Sequence, residues 1–265
     1  MNDRVTVEIN RAVADVRMVR ADKMNALDDA MFQALIDTGE RLKSEKGLRA
    51  VVLSGEGRAF CAGLDKGRFG EMAGGDSPLR RNLGLRGHGI ANRPQYAVWV
   101  WREIPVPVIA AVHGVALGGG FQLMLSADMR YVAPETKLSI LEIKWGLVPD
   151  MGGTQLLRHL VRDDVARELT YTGRIIGPEE AVSLGIATRV CADPRVAALE
   201  VAHEIANKSP SAIRAAKRLF NASRLMTEEA GLVQEAIEQE ALIGAADQVE
   251  AVRANLEQRA PNFEA

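Results

Sequence analysis

The chain has 265 residues, 47% of them hydrophobic, with a formal net charge of −2. That is enough for one sizeable core, with no overall electrostatic pull toward nucleic acid or an anionic membrane. No apolar run approaches a membrane span, the two cysteines offer no disulfide framework, and the four scattered histidines lack ligand spacing, so no nucleic-acid partner, membrane partner or metal is expected.

Met1-Asn-Asp-Arg4 leads straight into the alternation Val5, Val7, Ile9, with a return strand near 13–19. Neither a secretory apolar core nor an Arg/Ser-rich transit pattern is present, so a bacterial-type cytoplasmic location is expected. The apolar Arg49-Ala-Val-Val-Leu-Ser54 reads as a strand that runs into the turn Gly57-Arg-Ala-Phe-Cys-Ala-Gly-Leu-Asp65. Residues 71–96 hold Gly74, Gly75, Pro78, Gly84, Gly87, Gly89 and Pro94 among Arg80, Arg81, Arg86 and Arg93, a composition that predicts a mobile surface loop.

A second strand-to-helix turn follows. Pro107-Val-Ile-Ala-Ala-Val112 is β-branched and apolar, His113-Gly-Val-Ala-Leu-Gly118 turns the chain, and Gly118, Gly119 and Gly120 open onto the helix-favouring Phe121-Gln-Leu-Met-Leu125. The first N–H groups of a helix have no intrahelical partner and sit at its positive end. Such a place binds an anion or a carbonyl oxygen that gains charge during reaction, and glycine admits a close approach. A tight loop with close helix packing is the alternative.

Downstream, Glu142 lies in the largely apolar Leu138-Ser-Ile-Leu-Glu-Ile-Lys-Trp-Gly146, a setting that raises a carboxylate pKa toward an acid/base range; pairing with Lys144 or an arginine is the alternative. Asp150 precedes a helix start at 152–157, where aspartate is a favoured N-cap. Helical spacing then covers 163–170, 178–184, 195–207, 211–223, 228–243 and 247–258, with Ser209-Pro210 and Thr227-Glu-Glu-Ala230 as start signals.

Phe60-Cys-Ala-Gly-Leu-Asp65, Ala111-Val-His-Gly-Val-Ala-Leu-Gly-Gly-Gly120 and Gly146-Leu-Val-Pro-Asp-Met-Gly-Gly-Thr154 are similar, in order and spacing, to the motifs of the crotonase (enoyl-CoA hydratase/isomerase) superfamily. The resemblance runs to the closing segment Arg259-Ala-Pro-Asn-Phe263 and is poor only over 71–96. It implies an α/β fold: a ββα spiral core over 1–200 and a helical C-terminal region over 201–265 that packs subunits into trimers, often paired as hexamers. It also implies an acyl-CoA thioester substrate, with coenzyme A part of the substrate and no other cofactor.

Matched residue by residue, the backbone N–H groups of Leu64 and Gly119 form the oxyanion hole. Donors of this kind contribute roughly 3–4 kcal/mol each when aimed at developing charge. Ala62 and Phe263 fall at CoA-contacting positions, Phe263 near the adenine; simple docking of the C-terminus is its alternative. Arginines of 71–96 attract CoA phosphates, or the loop closes over the acyl chain, unless it is only a solvated excursion. Cys61 lies in the site without a histidine partner and reads as a filler.

Gln122 stands where the family's hydratases have glutamate, and an amide orients by hydrogen bonding but exchanges no proton near neutral pH. Glu142 keeps the second carboxylate position, and Asp150 stands where hydratases have a small residue and isomerases a carboxylate. In the dienoyl-CoA isomerase branch the two carboxylates shuttle a proton along the conjugated system, although that branch has aspartate where this chain has Gln122. Three readings follow: an isomerase, which is favoured; a 2-enoyl-CoA hydratase relying on Glu142; and a non-catalytic acyl-CoA or RNA-binding member.

Overall fold

The structure is a computed structural model that describes residues 3–73 and 83–263. Its main sheet has six strands in the order β1-β2-β3-β4-β6-β8. β1 (Val5–Asn10) and β2 (Val13–Met18) form the antiparallel hairpin, with Val5 opposite Met18. β3 (Ala50–Gly55), β4 (Val108–Val112), β6 (Met129–Val132) and β8 (Arg189–Val190) then add in parallel. Every residue of β4 is buried, as is every residue of β3 but Gly55, the result expected when a parallel sheet is covered on both faces.

On one face pack α1 (Asp29–Ser44) and α3 (Arg93–Glu103). α1 is capped by the Asp28 carboxylate, which accepts from the Met31 N–H, and buries Met31, Phe32, Leu35, Ile36 and Leu42. On the other face α8 (Pro194–Ala206) lays Ala198, Ala202 and Ala206 on Val13, Ala50, Val52, Ile109 and Ala111. The small side chains let the helix lie close to the sheet. α8 crosses residue 200, so the layer attached to the sheet reaches Ala206.

The shorter elements complete the site end. α2 (Lys66–Ala73) follows the first turn, and α4 (Gly119–Leu125) follows β5 (Val115–Leu117). β5 pairs in parallel with β7 (Lys137–Ser139), which leads to a 3₁₀ turn at Glu142–Trp145 and then to α5 (Gly153–Leu157). The C-terminal part carries α6 (Asp163–Thr172), α7 (Pro178–Ser183), α9 (Pro210–Ser223), α10 (Glu228–Leu242) and α11 (Ala246–Leu256). The last three leave Phe220, Leu232, Val233, Ile237, Val252 and Leu256 exposed.

The loop expected over 71–96 needs correction at both ends. α2 runs to Ala73, and α3 begins at Arg93 through a capping box: the Asn92 side chain accepts from the Gln95 N–H while the Gln95 side chain accepts from the Asn92 N–H. Pro94 in the first helical turn starts the helix rather than breaking it. Arg93 is anchored to Asp29, and Arg86 donates to the Leu83 and Gly84 carbonyls. Gly74, Gly75, Pro78, Arg80 and Arg81 lie outside the described residues.

Asn25 supports the first turn of the site. It is fully buried in a left-handed conformation (φ 54°), accepts from the Arg20 N–H at 2.9 Å, and donates to the Glu56 and Ala59 carbonyls at 3.0 and 2.8 Å. Asn25→Ala strands these buried groups and is expected to lower stability by about 2–3 kcal/mol, read from urea denaturation; a loss near zero would contradict this role.

Candidate active site

The two loops singled out by the sequence leave the C-terminal ends of neighbouring parallel strands, β3 and β4, where open α/β sheets place their ligands. Their backbones form a short parallel ladder. Phe60 N–H donates to the His113 carbonyl at 2.9 Å, Cys61 N–H to Val115 at 3.0 Å, and Leu117 N–H to Cys61 at 3.1 Å. The ladder tolerates little side-chain volume. A Cβ on Gly63 (φ +85°) would lie 2.5 Å from the Leu117 carbonyl oxygen and 3.5 Å from the Gly119 nitrogen, and one on Gly120 would lie 2.3 Å from the Cys61 carbonyl oxygen.

This pairing brings the Leu64 and Gly119 N–H groups together without giving them acceptors. On the first loop, Leu27 N–H donates to Gly63 and Asp65 N–H to Leu27, so both neighbours of Leu64 N–H are used. Gly119 is the first residue of α4, where no intrahelical acceptor exists. Among the described residues neither N–H has a partner. The α4 helix begins at Gly119 rather than at 121, so the triple glycine is its first turn as well as the loop.

Glu142 enters through the β5–β7 pair. Gly118 N–H donates to the Ser139 carbonyl at 2.9 Å, and the chain reaches the 3₁₀ turn two residues past Ile140. The Glu142 Oε1 lies 3.3 Å from the Cβ position of Gly118, beside the unpaired Gly119 N–H. Its side chain is buried, and Oε2 has no hydrogen-bond partner. Burial pushes its pKa above the ordinary value, and the nearby Asp150 charge pushes the same way; the Gln122 amide offsets part of this. The alternative of a surface pair with Lys144 is excluded by that burial.

Gln122 is fully buried and holds both flanks of the site. Its carbonyl oxygen accepts from the Met151 and Gly153 N–H groups at 2.9 and 2.8 Å, and its amide nitrogen donates to Glu142 Oε1 at 2.6 Å. Two backbone donors on one atom settle which end of the amide is oxygen. Gln122 thereby fixes the loop carrying Asp150 relative to Glu142.

Asp150 does not cap the helix after it. The N-cap of α5 is Gly152, without a side-chain cap bond. Asp150 is exposed, yet surrounding protein raises its carboxylate pKa; water on the open side limits the size of that shift. Phe69 of α2 stacks on Trp145 with ring centroids 4.0 Å apart, which forms an apolar wall between the first loop and the 3₁₀ turn.

The two candidate CoA-contact residues separate. Ala62 lies on the first loop, its N–H donating to the Met24 carbonyl at 2.9 Å. Phe263 is buried beside Arg49, which donates to its carbonyl at 2.9 Å and also to Ala206. Arg49 precedes β3, whereas the site follows the other end of that strand, so within one chain Phe263 docks the C-terminus away from Ala62. Cys61 is fully buried with its thiol pushed up to about 12 by burial, consistent with a filler and not a nucleophile. No group of three or more potential metal ligands occurs among the described residues.

Sequence reasoning missed Asn25, Met151 and Trp99. Met151 Sδ lies 2.9 Å from the Cβ position of Gly119, and the Trp99 ring lies 3.6 Å from that of Gly152. A helical reading of 93–103 would have offered Trp99, one of three tryptophans, as a candidate.

Known proteins share the sequence pattern and the fold of this chain. The family pattern described as enoyl-CoA hydratase/isomerase matches residues 8–265. A human mitochondrial Delta(3,5)-Delta(2,4)-dienoyl-CoA isomerase is 34% identical over 224 residues, covering 81% of this chain; the match spans only 66% of the relative. Mouse mitochondrial methylglutaconyl-CoA hydratase is 30% identical over 264 residues, covering 97% of this chain and 81% of the relative. The crystal structure of an enoyl-CoA hydratase from Bacillus anthracis superposes with a TM-score of 0.89 at 31% identity, covering 98% of each chain.

Replacing Gln122 tests the clamp. In Gln122→Glu two carboxylates meet where the amide now donates, so the folded state holds a shared proton that the unfolded chain releases near the ordinary glutamate value of 4.5. The variant is expected to match the parent below that pH and to lose stability as pH rises toward the raised folded pKa, followed by urea denaturation across the range. A difference from the parent that does not change with pH would contradict the clamp geometry.

Proposed function

The chain belongs to the enoyl-CoA hydratase/isomerase family, and within it we propose that this protein moves a double bond along the acyl chain of an enoyl- or dienoyl-CoA by proton transfer. The observation that carries this reading is the pair Glu142 and Asp150: two carboxylates with raised pKa in one site, held in fixed relation by an amide that does not titrate near neutral pH. The name of the human relative, a dienoyl-CoA isomerase, supports the same assignment.

In this mechanism the thioester oxygen accepts from the Leu64 and Gly119 N–H groups. Glu142 sits beside Gly119, so its free Oε2 takes the proton from the α-carbon, next to the carbonyl. The electron pair moves onto the thioester oxygen as an enolate, where the two N–H groups offset the charge. Protonated Asp150 delivers a proton at the far carbon of the conjugated system, the double bond shifts, and the thioester carbonyl reforms. Proton exchange between the two carboxyls and solvent restores the starting state, with no net gain or loss of atoms.

The substrate is an acyl-CoA thioester, and the reaction needs no further cofactor. Ala62 contacts the CoA part. Homotrimers, alone or paired, form through the apolar surface of α9–α11, and the enzyme acts in the cytoplasm without a nucleic-acid or membrane partner; no described helix is long and apolar enough to cross a membrane.

Separate incubations with 2-enoyl-, 3-enoyl- and 3,5-dienoyl-CoA in deuterated water, resolved by chromatography and mass spectrometry, test this reading. A rearranged isomer from either of the latter two, without added water, is the expected product. Addition of water to the 2-enoyl substrate as the main reaction would instead assign a hydratase.

The pH profile of kcat/KM is expected to be bell-shaped, with both limbs belonging to the coupled pair and lying above the ordinary carboxylate values of 3.8 and 4.5. A profile with ordinary carboxylate limbs would sink the paired assignment.

Glu142→Gln is expected to lower kcat by about 100-fold or more while raising the melting temperature. The folded parent binds the Glu142 proton more tightly than the unfolded chain, so its buried carboxylate lowers stability as pH rises above the ordinary value. A melting temperature below the parent's at neutral pH would contradict this account.

A further inference from the structure

Several arginines are matched by acids: Arg20 by Asp65, Arg195 by Asp15, Arg218 by Glu238. Arg102, in the last turn of α3, is half-buried and has no carboxylate partner among the described residues. Its guanidinium lies 5.4 Å from the Trp99 ring centroid and donates to the neutral Asn221 side chain at 2.8 Å. Asn221 is on α9, and Arg224 follows it by one turn at the C-terminal cap of that helix. Arg158 caps α5, which begins at the Gly153 tied to Gln122, and donates to His159 at 3.2 Å.

These cations act on one another. Burial and the Arg224 charge both lower the Arg102 pKa, and His159 is lowered by burial and by Arg224, Arg158 and Arg102. The acid that acts back on Arg102 is Asp128, whose Oδ2 already accepts from the buried Lys217 at 2.8 Å and from the Val108 N–H at 2.7 Å. Positive charge therefore collects here without a committed counter-charge.

Trp99 connects it to the site: the ring lies 3.6 Å from the Cβ position of Gly152, two residues past Asp150, and the Arg102 guanidinium lies against the same ring.

We propose that Arg102, with Arg224 and Arg158, receives the terminal carboxylate of the acyl group, so that the enzyme prefers acyl-CoA thioesters ending in a carboxylate over those ending in methyl. This rests on the acyl-CoA reading above. A planar guanidinium matches a carboxylate by two parallel hydrogen bonds, and Trp99 supplies the apolar surface for the methylenes before it.

Calorimetric titration of the full chain with matched pairs of unreactive saturated thioesters of eight, ten and twelve carbons, one of each pair ending in a carboxylate and the other in methyl, separates the possibilities. At one or more of these lengths the carboxylate-ended thioester is expected to bind about tenfold or more tightly, with the advantage shrinking as salt rises. Arg102→Gln and the exposed Arg224→Gln should each remove most of that advantage and leave the affinity of the methyl-ended thioester unchanged; the second variant serves if the first folds poorly.

Equal or weaker binding of the carboxylate-ended thioester at every length overturns the proposal. So does an unchanged preference in both variants, above all if they dissociate subunits in sedimentation runs, since the arginines then meet a carboxylate of a second copy. Failure of all the thioesters to bind would overturn the acyl-CoA reading itself and this inference with it.

Discussion

The site depends on the backbone ladder between the two loops that follow β3 and β4. Hydrogen bonds between Phe60–Cys61 and His113–Leu117 draw two separate turns into one edge-to-edge pair, and only in that pair do the Leu64 and Gly119 N–H groups face a common space. The close approach explains why glycine recurs: at Gly63 and Gly120 a Cβ would lie nearer than 3 Å to a carbonyl of the opposite loop, atoms with no freedom to move aside. Asn25 ties the first loop to the hairpin from beneath, and Ser139 ties the second to β7. The Leu64 and Gly119 N–H groups are thus positioned mainly by main chain, with the Asn25 side chain bracing the first loop.

Against this rigid frame, the carboxylates are placed at a cost. A buried glutamate with an unpartnered Oε2 is destabilising in its charged form, and no arginine or lysine among the described residues compensates it. Gln122 makes the arrangement tolerable: it donates to the other oxygen and uses its own carbonyl to hold the Met151 and Gly153 amides. A carboxylate in its place could accept those amides equally well, yet would face Glu142 as a like charge. In the proposed mechanism the amide leaves proton transfer to Glu142 and Asp150, which is why Asp150 carries weight in that proposal.

Much of this was legible in the sequence because it rests on local signals. Apolar β-branched runs ending in glycine turns located β3, β4 and their loops, and the C-terminal helices fall within two residues of their expected bounds. Position 93 was hidden because Gly and Pro density suggested a loop, although Asn92 and Gln95 held the capping signal. The Gln122 clamp was invisible for a different reason: its partners at 142, 151 and 153 are set by tertiary contact across 20–31 residues, and no periodicity encodes them. Phe263 is placed by Arg49, which donates to its carbonyl from the start of β3, a tertiary contact across 214 residues that no local pattern encodes.

Solvent deuterium tracking in the Asp150→Asn variant tests the central claim most directly, namely that Glu142 works at the α-carbon and Asp150 at the far carbon. With a 3,5-dienoyl-CoA in deuterated water, the variant is expected to keep exchanging the α-proton while double-bond movement falls by about 100-fold, and Glu142→Gln is expected to lose both. Rearrangement at the parent rate in Asp150→Asn, or α-exchange surviving in Glu142→Gln, would contradict the division of labour between the two carboxylates.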